Sequence, residues 1–270
     1  MQAIWTISTR NLKCDKALGQ FLHGDPKQTS QFIPKVVQNI VDQLFALGTV
    51  QDGQIAVSGV FWPYLVKNRP KLEEAWLAYA SNDVKQAADG SPLALFDHLA
   101  QSQKLVWVKL KTCNHGDLNA SNVAIEPHAQ DVRAFICDPG SIEHDIAVRD
   151  LAWLEVTSLL FDKADNGSSL VDECRVLYET AVAVPANVDY ASGSPLAQNI
   201  KMLIAELRRA ALEHCEPDVY ACLVFNAALC QLLGLAIDPA RNKITDRASA
   251  ACLAAVTARW VAKVAPGVAQ

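Results

Sequence analysis

Apolar positions recur with helical spacing along most of this chain and give way to short β-prone runs only in its middle. Ile33, Val37, Ile40, Val41, Leu44 and Leu47 mark one face, the three-to-four-residue repeat of a helix packed on one side. Ser30 is placed to cap that helix, Pro34 falls in its opening turns and Gly48 stops it. Residues 54–66 read as strand-like or irregular. One helix follows Pro70 and another opens at Ser91-Pro92, a cap residue with proline at the first helical position. From 105 to 136 the runs LVWVKL, NVAIE and VRAFIC are β-prone, and EPHAQD predicts a turn that makes a hairpin of the last two. Helical periodicity returns at 148–161 and 169–183. After Ser194-Pro195 a long helix carries Leu196, Ile200, Leu203, Leu207 and Ala211, preceded by a loop at 184–195. The apolar segment 219–235 and an Ala-rich helix from about 246 to 264 complete the pattern.

The expected fold class is therefore α+β and predominantly helical. The expected organisation is one domain over 1–270: a mostly helical leading part (1–112), a β-containing middle (113–150) and a helical subdomain (151–270).

Composition narrows the picture. Of 270 residues 51% are hydrophobic and 20% charged, enough apolar surface for a large core, which excludes a disordered tail or a disulfide-stapled miniprotein. A net charge of −5, with no basic run longer than Arg208-Arg209, argues against nucleic acid as the main ligand, since phosphate neutralisation needs a basic surface. The eight cysteines form no CxxC or CxxH pair, so a structural zinc site is not expected and reduced thiols in a cytoplasm are. MQAIWTISTRNLKCDK lacks the uninterrupted apolar core of a signal peptide. Val219–Ile237 is nineteen residues without a charge, near bilayer-spanning length. Asn226, Gln231 and Gly234 within it, and Asp218 and Asp238 at its flanks, predict a central buried helix and no membrane.

The chemistry is concentrated in NHGDLNASNVAIEPHAQDVRAFICDPGSIEHDIAVRDLAWLE. Asp117 and Asn122 are five apart on a loop that begins His115-Gly116, and Asp138 ends the second hairpin strand. A loop–hairpin–loop returns the chain to its start, so these three can converge. One Asp and one Asn oxygen suit Mg²⁺, which keeps waters and takes one or two carboxylates plus substrate phosphates. A further carboxylate beside a hydroxyl can receive its proton.

Here the chain resembles the aminoglycoside phosphotransferase and choline kinase group of the protein-kinase-like superfamily. HGDLNASN, His115 to Asn122, matches the HGDxxxxN catalytic loop; Asp138 in ICDPGS takes the place of the metal-binding Asp after the hairpin, and Asp150 in RDLAWLE follows twelve residues later. The resemblance implies Asp117 as catalytic base or acceptor-orienting carboxylate, His115 as a support for the loop, and Asn122 and Asp138 as Mg²⁺ ligands. Asp150 would cap or anchor the helix at 148–161. ATP and Mg²⁺ are the implied cofactors, and the implied partners are a nucleotide and a hydroxyl acceptor of unknown identity. Over roughly 90–270, the order of motifs and helices also resembles a ternary-complex-associated domain of the ninth type, a kinase-related module of bacterial NTPase-centred conflict and signalling systems.

Asn119 replaces the residue usual in that loop, a tolerable change, and the main departures from the pattern lie at two points. Pro139 removes a backbone donor beside Asp138. Upstream, 1–112 holds no GxGxxG and no VAxK-like strand, so the chain reads as a kinase-like C-terminal lobe with no recognisable N-terminal nucleotide lobe, or with that lobe supplied by another protein or chain. Two functions are expected on this basis: an ATP-dependent phosphotransferase, or a non-catalytic kinase-like regulatory or interaction module. His144, Asp145, Arg208 and Arg209 are further polar candidates for contact with an acceptor, read otherwise as surface residues; Cys113 and Cys137 are expected to be packing residues.

Overall fold

A computed structural model describes residues 16–87, 91–128, 131–138, 145–162, 169–181, 183–184, 188–238 and 246–269. In chain order the elements are β1 (Lys16–Ala17), α1 (Leu18–Leu22), α2 (Pro26–Thr29), α3 (Ile33–Ala46), β2 (Val50–Ala56), a 3₁₀ turn (Val57–Val60), α4 (Pro63–Lys67), α5 (Arg69–Tyr79), α6 (Asn82–Ala87), α7 (Pro92–Leu99) and β3 (Leu105–Lys111). They continue with β4 (Val123–His128), β5 (Asp131–Ile136), β6 (Asp145–Ile146), α8 (Arg149–Leu160) and α9 (Leu170–Cys174). After a second 3₁₀ turn (Arg175–Tyr178) come α10 (Pro195–Leu212), α11 (Pro217–Ile237), α12 (Arg247–Val264) and α13 (Pro266–Ala269). The fold is α+β and predominantly helical, with two antiparallel three-stranded sheets ordered β1-β4-β5 and β2-β3-β6.

Several boundaries follow directly from local chemistry. Ser91 and Ser194 accept the N–H groups of Leu93 (3.2 Å) and Ala197 (3.3 Å), each just before a helix-opening proline, satisfying donors that the first turn cannot pair internally. Ser30 does not cap the first long helix. Asp25 caps the short α2 through Lys27 N–H (3.0 Å), Ser30 lies at the end of that turn, and α3 begins after Phe32. Gly48 does stop α3, at φ +78°, a conformation open to glycine. The hairpin strands run further than their sequence suggested, to His128 and Asp131, which pair; 129–130 lie outside the described residues, as do Cys14, Pro139–His144 and part of the 184–195 loop. The single helix expected at 169–183 is α9 followed by a 3₁₀ turn that brings Tyr178 into the core.

The hairpin is fixed in place by α3. β5 is an edge strand, and its unpaired backbone groups need partners. Asn39 and Gln43, one turn apart on α3, supply them: Asn39 Oδ1 accepts from Ala134 N–H (3.1 Å), Gln43 Oε1 from Ile136 N–H (3.1 Å), and Gln43 Nε2 donates to Ala134 O (2.7 Å). The strand that ends at Asp138 is thereby held to the helix.

The helical part is built around α11, which packs on α5, α8 and α12. By length and composition α11 could span a membrane, and 78% of its apolar window is buried inside this fold. Beside it lies a polar centre. Glu155 of α8 and Arg208 of α10 are both fully buried and paired, Nη2 to Oε1 at 2.7 Å. Tyr178 and Tyr220 hydroxyls donate to Glu155 (2.7 and 3.0 Å), and Arg208 Nη1 donates to the carbonyls of Leu177 and Ala183 (2.8 and 2.9 Å). The guanidinium lies 4.1 Å from the Trp260 ring centroid and 4.6 Å from that of Tyr178, a cation–π contact in a desolvated setting. The neighbouring carboxylate holds Arg208 charged against its burial, and burial together with that carboxylate pushes both tyrosine hydroxyls well above 10. Arg208 is thus a structural core residue and not an acceptor-facing one. Arg209 is exposed and pairs with Glu206.

Truncating one partner of such a pair leaves an uncompensated buried charge. Arg208→Ala is expected to destabilise the fold by about 3–5 kcal/mol, read as a lowered urea midpoint. The double replacement Glu155→Leu/Arg208→Met removes the stranded charge and is expected to recover only part of that loss, because the two tyrosine hydroxyls and two carbonyls are left without partners.

Candidate active site

The loop after β3 is organised by one carboxylate. Asp150, in the first turn of α8 and 3% exposed, accepts the backbone N–H groups of His115 (2.7 Å) and Gly116 (2.9 Å) on its two oxygens. Two successive amides can face one carboxylate here because Gly116 sits at φ +82°, a left-handed conformation that side chains resist. Asp150 therefore anchors the loop rather than capping its helix, whose N-cap is Val148 without a side-chain bond.

From that anchor a closed set of hydrogen bonds runs through the predicted residues. His115 Nε2 lies 2.8 Å from Cys137 O and its Nδ1 3.4 Å from Asp117 N. A carbonyl at one nitrogen and an N–H at the other assign the proton to Nε2, which donates to Cys137 O. Cys137 N–H donates to Asn122 O (2.8 Å), and Asn122 Nδ2 donates to Asp117 O (2.8 Å). The loop 115–122 and the end of the hairpin are thus joined at two points, and Asp138 follows immediately. Asp138 is exposed and, at φ 55°, is the one non-glycine residue with positive φ among the described residues. Sparsely populated backbone of this kind concentrates at functional sites. Asp117 is exposed, and its Oδ1 accepts from the indole N–H of Trp153 at 3.3 Å. Trp153 lies one turn after Asp150 on α8, so one helix face holds both the loop's backbone and its carboxylate.

The surroundings are electrostatically uneven. Burial raises the Asp150 carboxyl above its ordinary range, opposed by the two N–H donors, by His115 and by Lys111. Lys111, at the end of β3, is fully buried; its Nζ has no hydrogen-bond partner among the described residues and lies 6.0 Å from the Phe45 ring centroid. Burial lowers its ammonium below 10.5 and Asp150 opposes that shift. Burial pushes the Cys137 thiol up, away from the thiolate that a nucleophile needs. Asp145 is not a free loop residue: it pairs with Lys111 in β6, and its carboxylate lies 2.5 Å from Arg149 Nε.

Two cavities flank Trp153. One of about 560 Å³ is lined by Asp117, Asn119, Ser121, Trp153, Phe161 and Gln231 among others. A smaller one of about 330 Å³ is lined by Trp62, Tyr64, Asn114, Gly116, Arg149 and Asp150 among others. Among the described residues, no three His, Cys, Asp or Glu side chains gather into a metal cage. Trp153, Gln231 and Lys111 were not singled out as functional in the sequence. Trp153 was findable from its position one turn after Asp150, and Gln231 as a lone amide in an uncharged run.

Comparison with protein-family models, curated proteins and solved structures found no match to this chain. Its likeness to the phosphotransferase group rests on His115–Asn122, Asp138 and Asp150 and on their spacing.

Asp150→Ala removes the acceptor of two backbone donors, each worth about 1–3 kcal/mol when left buried and unpaired. It is expected to cost about 3 kcal/mol or more. Asp117→Asn, at an exposed position, is expected to stay within about 0.5 kcal/mol of wild type. Urea unfolding of the two variants checks the contrast.

Proposed function

We propose that this chain is a kinase-like phosphotransferase that moves the γ-phosphate of ATP to a hydroxyl acceptor. The observation that carries the reading is the closed hydrogen-bond circuit His115–Cys137–Asn122–Asp117, which ties the loop to the Asp138 strand end while the Asp117 carboxylate lines an open cavity. Phosphoryl transfer depends mostly on positioning and electrostatics, and this loop is positioned at every turn by a named bond.

The donor set fits a Mg²⁺ ion shared with substrate phosphates. Asn122 turns its amide nitrogen inward to Asp117 O, which leaves its Oδ1 uncommitted, and Asp138 has an exposed carboxylate. An ion of that kind takes one or two carboxylates from the protein, in keeping with the lack of a three-ligand cage among the described residues. Asn122 and Asp138 would hold the ion, which when bound neutralises charge on the phosphates. Asp117 orients the acceptor hydroxyl and accepts its proton as the new P–O bond forms, while the bridging bond to the departing diphosphate breaks. Trp153 and the Asn122 amide, donating to the carboxylate and carbonyl of Asp117, restrict where that carboxylate can point.

A second reading, a non-catalytic regulatory or interaction module of a bacterial NTPase-centred signalling system, is favoured by one observation. Among the described residues neither three-stranded sheet carries a Gly-rich loop that could cover phosphates.

ADP formation from ATP and Mg²⁺ by the full chain distinguishes the two. The phosphotransferase reading predicts turnover that falls about 10²-fold or more in Asp117→Asn, with the urea midpoint unchanged. Equal rates in both proteins would contradict it, as would no turnover in either when a panel of hydroxyl acceptors is also present.

A further inference from the structure

β2 is an open sheet edge. Among the described residues it pairs with β3 alone, and Val50, Gln51, Asp52 and Gln54 are exposed. The phase of its hydrogen bonds decides which backbone groups face outward. Thr112 N–H donates to Thr49 O (3.1 Å) at one end of the pair, and Val57 N–H to Lys104 O (2.8 Å) at the other. In an antiparallel ladder, residues that exchange hydrogen bonds alternate with residues that do not. Gln51, Gly53 and Ile55 therefore turn their N–H and C=O groups to β3, and Val50, Asp52, Gln54 and Ala56 turn theirs away from it. The bond from Ala147 N–H to Lys109 O (2.8 Å), on the far side of β3, has the same phase. A row of unpaired groups is a template for another strand, and sheet edges are commonly blunted by lysine, proline or a bulge. β2, with the sequence VQDGQIA and an unbroken register along β3, carries none of these.

The strand that fits this edge is the edge itself. A two-fold axis at Gly53 overlaps two copies of Val50–Ala56 over their whole length. It sets Asp52 against Gln54 of the second copy, and Val50 against Ala56 of the second copy. The four outward-facing residues are then the ones that exchange hydrogen bonds. Charge agrees with this register. Asp52 is the one charged residue of β2, and here it meets a carboxamide able to donate to it. A slip of two residues that sets Asp52 against itself would oppose like charges. Apolar surface agrees as well. Leu105 and Trp107 of β3, 62% and 64% exposed, pair with Ala56 and Gln54. Val50 of the second copy extends the row of Leu105 and Ala56 across the joined sheet.

We propose that the chain forms a two-fold dimer by antiparallel pairing of β2 with β2 of a second copy, which joins two three-stranded sheets into one of six strands. The proposal is independent of the phosphotransferase reading. An interface built on one short strand from each copy is small and transient, so association is expected at about 10–100 µM chain. Sedimentation velocity of the full chain over that range is the test. Gln54→Pro removes an outward N–H and leaves the bonds to β3 in place; it is expected to be monomeric. Gln54→Glu sets a carboxylate against Asp52 at two symmetric places and is expected to weaken association about tenfold. Asp52→Asn/Gln54→Glu relieves that repulsion and is expected to restore it. Circular dichroism of dilute samples verifies folding, and the exposed Gln54→Glu substitution keeps the test decisive if the proline variant fails to fold. Four results would overturn the assignment: a wild-type chain that stays monomeric throughout, a folded Gln54→Pro variant that dimerises as wild type does, equal association of wild type and Gln54→Glu, or a double variant no better than Gln54→Glu.

Discussion

The buried pair of Glu155 and Arg208 is the point at which α8, α10, α11, α12 and the 3₁₀ turn after α9 meet. Two charges placed in a core are costly, and they are tolerated here because every nitrogen of the guanidinium and both carboxylate oxygens have partners: each other, two tyrosine hydroxyls, two backbone carbonyls and the faces of Tyr178 and Trp260. Those partners come from α8, α10, α11, α12 and the 3₁₀ turn after α9. A shift of α8 or α10 would separate the two charges, and a shift of the others would remove a hydrogen-bond or ring partner. The network therefore sets the position of α8, and α8 is the helix from whose first turns Asp150 and Trp153 reach the loop.

From α8 outward, the order is passed along by hydrogen bonds. Asp150 sets the backbone of His115 and Gly116; the His115 ring sets Cys137; Cys137 sets Asn122; Asn122 and Trp153 set Asp117. The other end of the hairpin strand is held by Asn39 and Gln43 on α3. Between these two anchors Asp138 occupies a left-handed backbone conformation, an unfavourable state that persists only when its surroundings over-determine it. The carboxylates left exposed at the end of this chain of support are Asp117 and Asp138, the two to which the proposed phosphotransferase assigns its chemistry.

The parts of this structure legible in the sequence were those specified locally. Ser91-Pro92 and Ser194-Pro195 announced their helices, the β-prone runs announced a hairpin, and the uncharged stretch announced a buried α11. What was hidden depends on distant partners. β2 reads VQDGQIA, mostly exposed and interrupted by Gly53, and becomes a strand through pairing with β3 far along the chain. Ser30 lost its capping role to the competing Asp25 turn. Arg208 looks like half of an exposed basic pair until Glu155, on another helix, is brought against it. In the site, HGD, Asn122 and Asp138 are visible as spacing. The direction of Asp150, towards the loop and not its own helix end, is not, because only the packed position of α8 decides it.

In the proposed phosphotransferase, Asn122 and Asp138 hold the Mg²⁺ of a metal–nucleotide site. The most direct measurement is the thermal unfolding of the full chain with and without Mg²⁺-ATP, in wild type and in Asp138→Ala. Ligand at about 100-fold its dissociation constant adds about 2.7 kcal/mol, a rise of about 5–10 °C for a chain of this size. A Mg²⁺-dependent rise of that order in wild type, absent in Asp138→Ala, is the predicted result. A wild-type protein that melts at the same temperature with and without Mg²⁺-ATP, or a variant that gains as much as wild type, would contradict it.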